Sequence, residues 1–575
     1  MSETEEGDVT APLGGISDLN INLSEIKSSQ KKKLCGKQVL KLGTTILGVM
    51  ILIAVIIIFI SLGLDKKEED KHKDDQDEDK GEITPEDIYG NIICDFDINS
   101  GLINILSEEF EKNFYLITYI GDNKINYTKT YNFNKEQNKT VRYEIHSKNI
   151  SIKNMFKGLV HLKNISFISN SGGKILSMES TFEQCTYLTD IKFEGWDTSE
   201  LTSMKKAFAS CSNLEKFPFD DIDLSNVKDM SYMLESSNIH FFQPNKFNLN
   251  SVETLSSMFQ NCYGLIEVIF PETESPNLID ISSMFSGCDT VNKINLSPLN
   301  TAKVINMSLL FYNCLSLNDL NIKSFDTSQV IDMSHMFENN CDLNKLDLNF
   351  FNTKNVKNMN SIFKNCYTLK DLNLENFDTS NVEDMSYMFS NCLETSNFYT
   401  HILKTQNVKS FEGMFEDCNK ISSLDLSNFD TSNTQSFKNM FKGCGNLESI
   451  IFENWDTKNV VDLSSMFESC KNLKDADLSK FETKNVKNMS QMFEGCSLLT
   501  SLTINNINTE NVEDMTSLFS DGGFKSLNLQ WNTRSLKFMK NMFLNMKDVT
   551  QITFGNSFIT DNVETMEGMF KDCIN

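Results

Sequence analysis

One 26-residue sentence recurs along most of this 575-residue chain. "FDTSNVEDMSYMFSNC" begins at Phe377. It returns as "FNTKNVKNMNSIFKNC" from Phe351, "WDTKNVVDLSSMFESC" from Trp455 and "FETKNVKNMSQMFEGC" from Phe481. Aligned on the phenylalanine of the "MF" pair, copies run from Phe182 to Phe570, with Leu234 in one of them. The spacing is 26 residues, departing only before Phe259, Phe543 and Phe570, which makes sixteen copies and a degenerate one at Phe156. A fixed period of this size marks a stacked array and overrides the several-domain expectation that length alone would raise.

Two periodicities lie inside each unit. Met385, Met388, Phe389 and Cys392 stand at i, i+3, i+4 and i+7, which predicts one face of a short helix. "LKDLNL", Leu369 to Leu374, ends in the alternation of a short strand. "FDTSN" between them supplies side chains that bond nearby backbone and cap a helix. One such unit cannot bury its apolar stripe alone, but a stack can. The expected fold is therefore an α/β repeat solenoid, a leucine-rich-repeat-like stack of short parallel strands and short helices. The Met and Phe rows are read as core, not as a cofactor box.

From Ser177 onward the chain resembles the 26-residue leucine-rich-repeat class of BspA-like surface proteins. The motifs that carry the resemblance are "NVEDMSYMFSNCLE" and "LxxLxLSxFDTSN". It implies a curved solenoid with strands lining one face, and a cell-surface role in adhesion or recognition. Where better-known leucine-rich repeats place Asn or Cys after the strand, this chain has Phe325, Phe377 or Phe481. A phenylalanine stack is expected to fill that corner, with Asp-Thr satisfying the turn backbone.

Thirteen of the fifteen cysteines belong to the array, twelve of them three residues after the phase residue and Cys341 one residue late. One Cys per unit is not a zinc pattern, which needs close pairs. Two readings stand. Neighbouring turns at strand spacing are near enough for disulfides. Alternatively, each Cys is a small buried hydrophobe on the apolar face. Replacement by Ser237, Gly522 and Met546 suits packing better than obligate pairing.

Leu42 to Leu64 carries no charge in 23 residues. As a helix it would reach about 34 Å, enough to cross a hydrocarbon core of about 30 Å. Lys31, Lys32, Lys33 and Lys37 precede it, and "DKKEEDKHKDDQDEDK" follows. This asymmetry places the N-terminus inside and the array outside. The expected organisation is a cytoplasmic tail (1–38), a transmembrane helix (39–64), a charged disordered linker (65–82), a β-rich capping module (83–150) and the solenoid (151–575). Cys35 beside the span is a candidate for S-palmitoylation or an unmodified thiol. The plasma membrane, crossed once, is the expected location.

With 53 basic and 79 acidic residues, the net charge of −26 argues against nucleic acid as a partner. No nucleophile elbow, phosphate loop, dinucleotide fingerprint or zincin motif appears, so neither enzyme activity nor a cofactor is expected. "DFDINSG" from Asp95 fails as a calcium loop because its Gly falls one place late and Leu106 stands where Glu is needed. Candidate N-glycosylation sites are Asn126, Asn138, Asn149, Asn164, Asn306 and Asn488, the last two at the start of expected repeat helices. The middle outward row of the strands reads Asn295, Asn321, Asp347, Asn373, Tyr399, Asp425, Ile451, Asp477 and Thr503. Its amides and carboxylates are the candidate surface for an extracellular protein or glycan, or form a merely solvated face. Two functions follow: a tethered recognition or adhesion protein, or a surface coat without a dedicated ligand. Met566, Met569, Phe570 and Cys573 fall in the last copy with no strand after them, so a frayed end, end-to-end self-association or a longer gene product is a further expectation.

Overall fold

The computed structural model describes residues 88–574, apart from 136–138, 216, 218–220, 245–246 and 505–506. The cytoplasmic tail, the span Leu42 to Leu64, the charged linker, Cys35 and Asn138 lie outside the described residues. Among the described residues, no helix is long and apolar enough to cross a membrane.

Ten strands open the described part. They are β1 (Gly90–Phe96), β2 (Gly101–Asn104), β3 (Leu116–Ile120), β4 (Asn123–Ile125), β5 (Thr130–Phe133), β6 (Thr140–Ile145), β7 (Asn149–Ser151), β8 (Leu162–Ser169), β9 (Lys174–Ser177) and β10 (Asp190–Glu194). Six of them form one sheet in the order β10-β8-β1-β6-β3-β4. In β1, Ile92, Cys94 and Phe96 alternate inward, as a half-buried strand requires. β1 lies antiparallel to β6 and β8, whereas β10 runs parallel to β8 with Ile191 opposite Ile165. The sheet thus changes from antiparallel to parallel at β8, and the first edge of the array is paired instead of bare.

From there the chain winds as a β-solenoid of about fifteen turns. Its short strands are β11 (Phe241–Phe242), β12 (Glu267–Ile269), β13 (Lys293–Asn295), β14 (Asp319–Asn321), β15 (Lys345–Asp347), β16 (Asp371–Asn373), β17 (Ser423–Asp425), β18 (Ser449–Ile451), β19 (Asp475–Asp477), β20 (Ser501–Thr503), β21 (Ser526–Leu529) and β22 (Gln551–Phe554). Where they pair, they do so in parallel and in register: Ile294 opposes Leu320, and Leu346 opposes Leu372. A second line of parallel bridges runs from Ser203 through Asp384 to Thr565, one residue per turn.

The expected repeat helices do not form. Met385, Tyr387, Phe389 and Asn391 each donate their backbone N–H to the next turn, at Ser410, Glu412, Met414 and Glu416. The intervening Met388, Ser390 and Cys392 close three-residue turns onto Met385, Tyr387 and Phe389. Tyr387 (φ 56°) and Asn391 (φ 60°) are left-handed, which no α-helix permits. The ribbon therefore advances in four-residue steps. Over only eight residues a four-residue and a 3.6-residue period put the same side chains on one side, so the apolar pattern could not separate them. So short a helix is also too costly to nucleate without neighbours. Here the neighbouring turn takes the bonds a helix would make internally.

The inward face of the ribbon is the core. Met385, Met388, Phe389 and Cys392 are fully buried. Phe389 stacks on Phe363 at 5.7 Å and on Phe415 at 5.9 Å, with ring planes 13° and 14° apart. The continuous ring stack therefore sits at the phase position; the corner residues Phe325, Phe377 and Phe481 are buried without forming it. Twelve array cysteines are free, eleven of them buried. The Cys392 thiol donates to the Phe363 carbonyl of the preceding turn at 3.2 Å, and burial pushes its pKa up to about 12. Where Cys341 is late, Asn340 takes the position and its side-chain amide donates to Phe311 O at 2.8 Å. The place wants a small donor, not a disulfide.

The "FDTSN" corner behaves as its chemistry suggests. Thr353 Oγ1 accepts from Asp378 N at 2.8 Å and donates to Asp378 O at 3.1 Å, gripping both backbone groups of one residue on the next turn. Asp378 Oδ1 accepts from Ser380 N, and Asn381 Nδ2 donates to Lys354 O. These contacts satisfy backbone groups that a buried corner would otherwise leave orphaned.

Candidate functional site: the outward strand row

The outward row lies along the strand face. Asn295, Asn321, Asp347, Asn373, Asp425 and Asp477 each end a strand. Each has a local duty that sequence reasoning missed. Asp425 Oδ1 accepts from Ser427 N at 3.0 Å, Asp477 Oδ1 from Ser479 N at 2.9 Å, and Asn373 Oδ1 from Glu375 N at 3.2 Å. Asn295 and Asp347 cap Ser297 and Asn349 in the same way. Asn321 Nδ2 also donates to Asn295 Oδ1. The row is therefore first a line of turn formers, and it shows solvent only the remaining side-chain atoms. The hydrogen bonds from Ser427 and Ser479 hold the Asp425 and Asp477 carboxyls below the usual carboxylate range.

Tyr399 departs from the row. It lies in no strand, adopts φ 54° ahead of a single 3-10 turn at Thr400–Ile402, and stacks on His401 at 6.2 Å. Phe398, its neighbour, is buried edge-on between Phe389 and Phe415.

The strand ladder is interrupted at several places along the array, one of them between β18 and β19, which pair with β17 and β20 but not with each other. A groove of about 260 Å³ fills the opening, with Ile451, Phe452 and Phe481 as its apolar part and Glu453, Asp475, Asp477 and Lys480 around it. Three departures from the repeat lie at this groove. Phe452 stands where neighbouring turns have Leu426 and Leu478, Trp455 where they have Phe429 and Phe481, and Ala476 where they have Ile450 and Leu502. Phe452 reaches across to Phe481 at 5.3 Å, and Trp455 lies 6.2 Å from the same ring. Two oversized side chains wedge the turns, and the small Ala476 makes room beneath them. Comparing copies position by position would have revealed this exchange.

A second concavity, about 480 Å³, lies on the other side among Lys357, Asn381, Glu383, Asn407, Lys409 and Asn433. Its groups are already engaged: Lys409 pairs with Glu383 at 2.5 Å, and Asn407 Nδ2 donates to Ser380 O. Of the glycosylation candidates, Asn126 and Asn149 are exposed. Asn164 is half-buried in β8 and accepts from Thr189 Oγ1. Asn306 and Asn488 start turn ribbons, not helices, and each accepts the hydroxyl of its own following serine, Ser308 or Ser490. In the last described turn Met566 and Phe570 are about half exposed, and Phe570 stacks on Phe543 at 5.2 Å.

Among solved structures, the pneumococcal vaccine antigen PcpA is similar at 16% identity, over 70% of this chain and 93% of that one, with a TM-score of 0.30. The functional domain of InlJ from Listeria monocytogenes, titled as including a cysteine ladder, matches at 10% identity and a TM-score of 0.17. That match covers 62% of this chain and 66% of that one, just under two thirds of its length. No curated protein matches. The family described as "Mycoplasma protein of unknown function, DUF285" matches residues 150–269, 279–402, 368–476 and 463–575. With well over half of its length matched, nearly all of it in the repeats, the chain belongs to this DUF285 family.

Proposed function

We propose that this chain is a surface recognition or adhesion protein, anchored once in the plasma membrane through Leu42 to Leu64, with its N-terminus cytosolic and its solenoid outside. The strand face engages an extracellular protein or glycan; the chain is not an enzyme, needs no cofactor and does not bind nucleic acid. One observation carries the reading. The inward strand side chains are held to apolar types, while the adjacent outward row changes from amide to carboxylate to Tyr399 and Ile451, and borders a groove. A rigid scaffold with a variable face is the usual layout of a repeat-protein binding surface. The test is attachment of the purified full chain to host or neighbouring cells, together with protease treatment of intact producing cells. Saturable attachment and loss of the repeats to external protease are expected. No attachment to any surface would leave the coat reading in its place.

A further inference from the structure

We propose that the groove between β18 and β19 receives a cationic side chain, an arginine or lysine, from a partner protein; this deepens the recognition reading above and rests on it. The groove is small. Its 260 Å³ falls below the about 300–1,000 Å³ of sites that enclose a small molecule, and suits one long side chain. Its floor is apolar: Ile451 is 46% exposed on the strand face, beside Phe452 and Phe481. Its rim is acidic, with Glu453, Asp475 and Asp477 facing the single ammonium of Lys480. An apolar floor with a negative rim matches an aliphatic stem that ends in a positive head.

Several carboxylates of the array are matched by a lysine on the neighbouring turn. Glu383 pairs with Lys409, Glu412 with Lys438, Glu448 with Lys474 and Glu513 with Lys537. Glu453 and Asp475 have no ion pair among the described residues. Asp477 accepts from Ser479 N, and the hydrogen bonds from Ser479 favour its ionised form. A sugar is the weaker guest, because Phe452 is 9% exposed and offers no open ring face to stack on.

The experiment titrates the detergent-solubilised full chain with two labelled peptides, Gly-Ser-Arg-Ser-Gly and Gly-Ser-Gln-Ser-Gly. The arginine peptide should bind and the glutamine peptide should not. Asp475→Asn combined with Asp477→Asn should weaken binding about tenfold, the scale of a lost charge-assisted contact. Asparagine keeps the acceptor for Ser479 N, so the turn survives. Asp425→Asn, on the same row but outside the groove, should leave binding unchanged. Raised salt should weaken it. Equal binding of both peptides, equal loss in Asp425→Asn, or no binding up to about 10 mM, the weak limit for a single contact, would overturn the proposal. Cellotriose binding that is lost in Ile451→Ala would assign the groove to a glycan and overturn it too. If cell attachment persists while the arginine peptide fails, the groove assignment falls and the recognition reading stands; absence of attachment by the unmodified chain strikes the recognition reading itself.

Discussion

Phe389→Ala removes one ring from the middle of the stack. The ring is fully buried, sandwiched by Phe363 and Phe415 and met edge-on by Phe398 at 5.2 Å. Deleting such a side chain costs about 3–5 kcal/mol in lost burial and residual cavity. Relaxation has little scope here, since Met385 and Met388 are themselves buried and both adjoining turns are fixed by the ribbon bonds. Stability in a stack is a sum of turns and their interfaces, so the loss falls on two interfaces and should be local. Phe389→Leu, which copies the residue at Leu234, should cost much less, about 1–1.5 kcal/mol. Urea unfolding gives the magnitude and amide exchange gives the place. The Phe363 and Phe389 amides, which bond Met388 and Met414, should exchange faster, while the β1–β6 amides should not change. An alanine variant no worse than the leucine variant, or one that loosens β1–β6 equally, would refute the stack as the local source of stability.

Gly443 sits at φ 72°, and a methyl there would run into the Asp417 carboxylate. Gly443→Ala should therefore destabilise by about 1–2 kcal/mol in thermal melts. The array thiols should behave as packing groups: of the twelve free ones, Cys573 alone should react quickly with Ellman's reagent in the native protein. Asp425 and Asp477 have folded-state pKa values lowered by their turn hydrogen bonds, so their contribution is full above the unfolded value of about 3.9 and is lost as pH falls through the lower folded value. Asp425→Ala with Asp477→Ala should flatten the acid limb of a stability–pH curve and change its neutral plateau less than Phe389→Ala does.

The period, the burial of Met385, Met388, Phe389 and Cys392 and the corner chemistry of "FDTSN" were legible in the sequence. Each follows from composition at a fixed phase. The helix expectation failed because eight residues cannot distinguish two close periods. A corrective signal was nevertheless present two residues after the phase residue, where Asn313, Asn339, Asn365, Asn391, Asp417, Gly443 and Gly495 recur. Gly, Asn and Asp are the residues that adopt a left-handed backbone most readily, so their recurrence there argues against a helix. Asn295, Asn321, Asp347, Asn373, Asp425 and Asp477 end strands and Tyr399 does not; the turn-capping duty of the row was hidden because Asx turns depend on where the strand ends. The groove was hidden for another reason: it arises from the volume exchange of Phe452, Trp455 and Ala476 across two turns, which no single copy shows.

The ribbon bonds all run one way, from the N–H groups of one turn to the carbonyls of the next. Each ribbon segment therefore presents donors on one side and acceptors on the other, and any interior ribbon fits any neighbour. Length then becomes a quantity that duplication or loss of one whole unit can change without creating a mismatched joint. Deleting 26 residues from Phe377 would bring Leu403 to the corner after Asn376 and reseat the next ribbon on the old one. A deletion of 13 residues would put corner chemistry against core. The spacing changes before Phe259, Phe543 and Phe570 fall outside the ribbon segments, and the bridges through Asp514, Phe538 and Thr565 continue unbroken across the last two of them. The strand side of each coil absorbs such irregularity while the ribbon keeps count, so reach can be adjusted without redesign of the core.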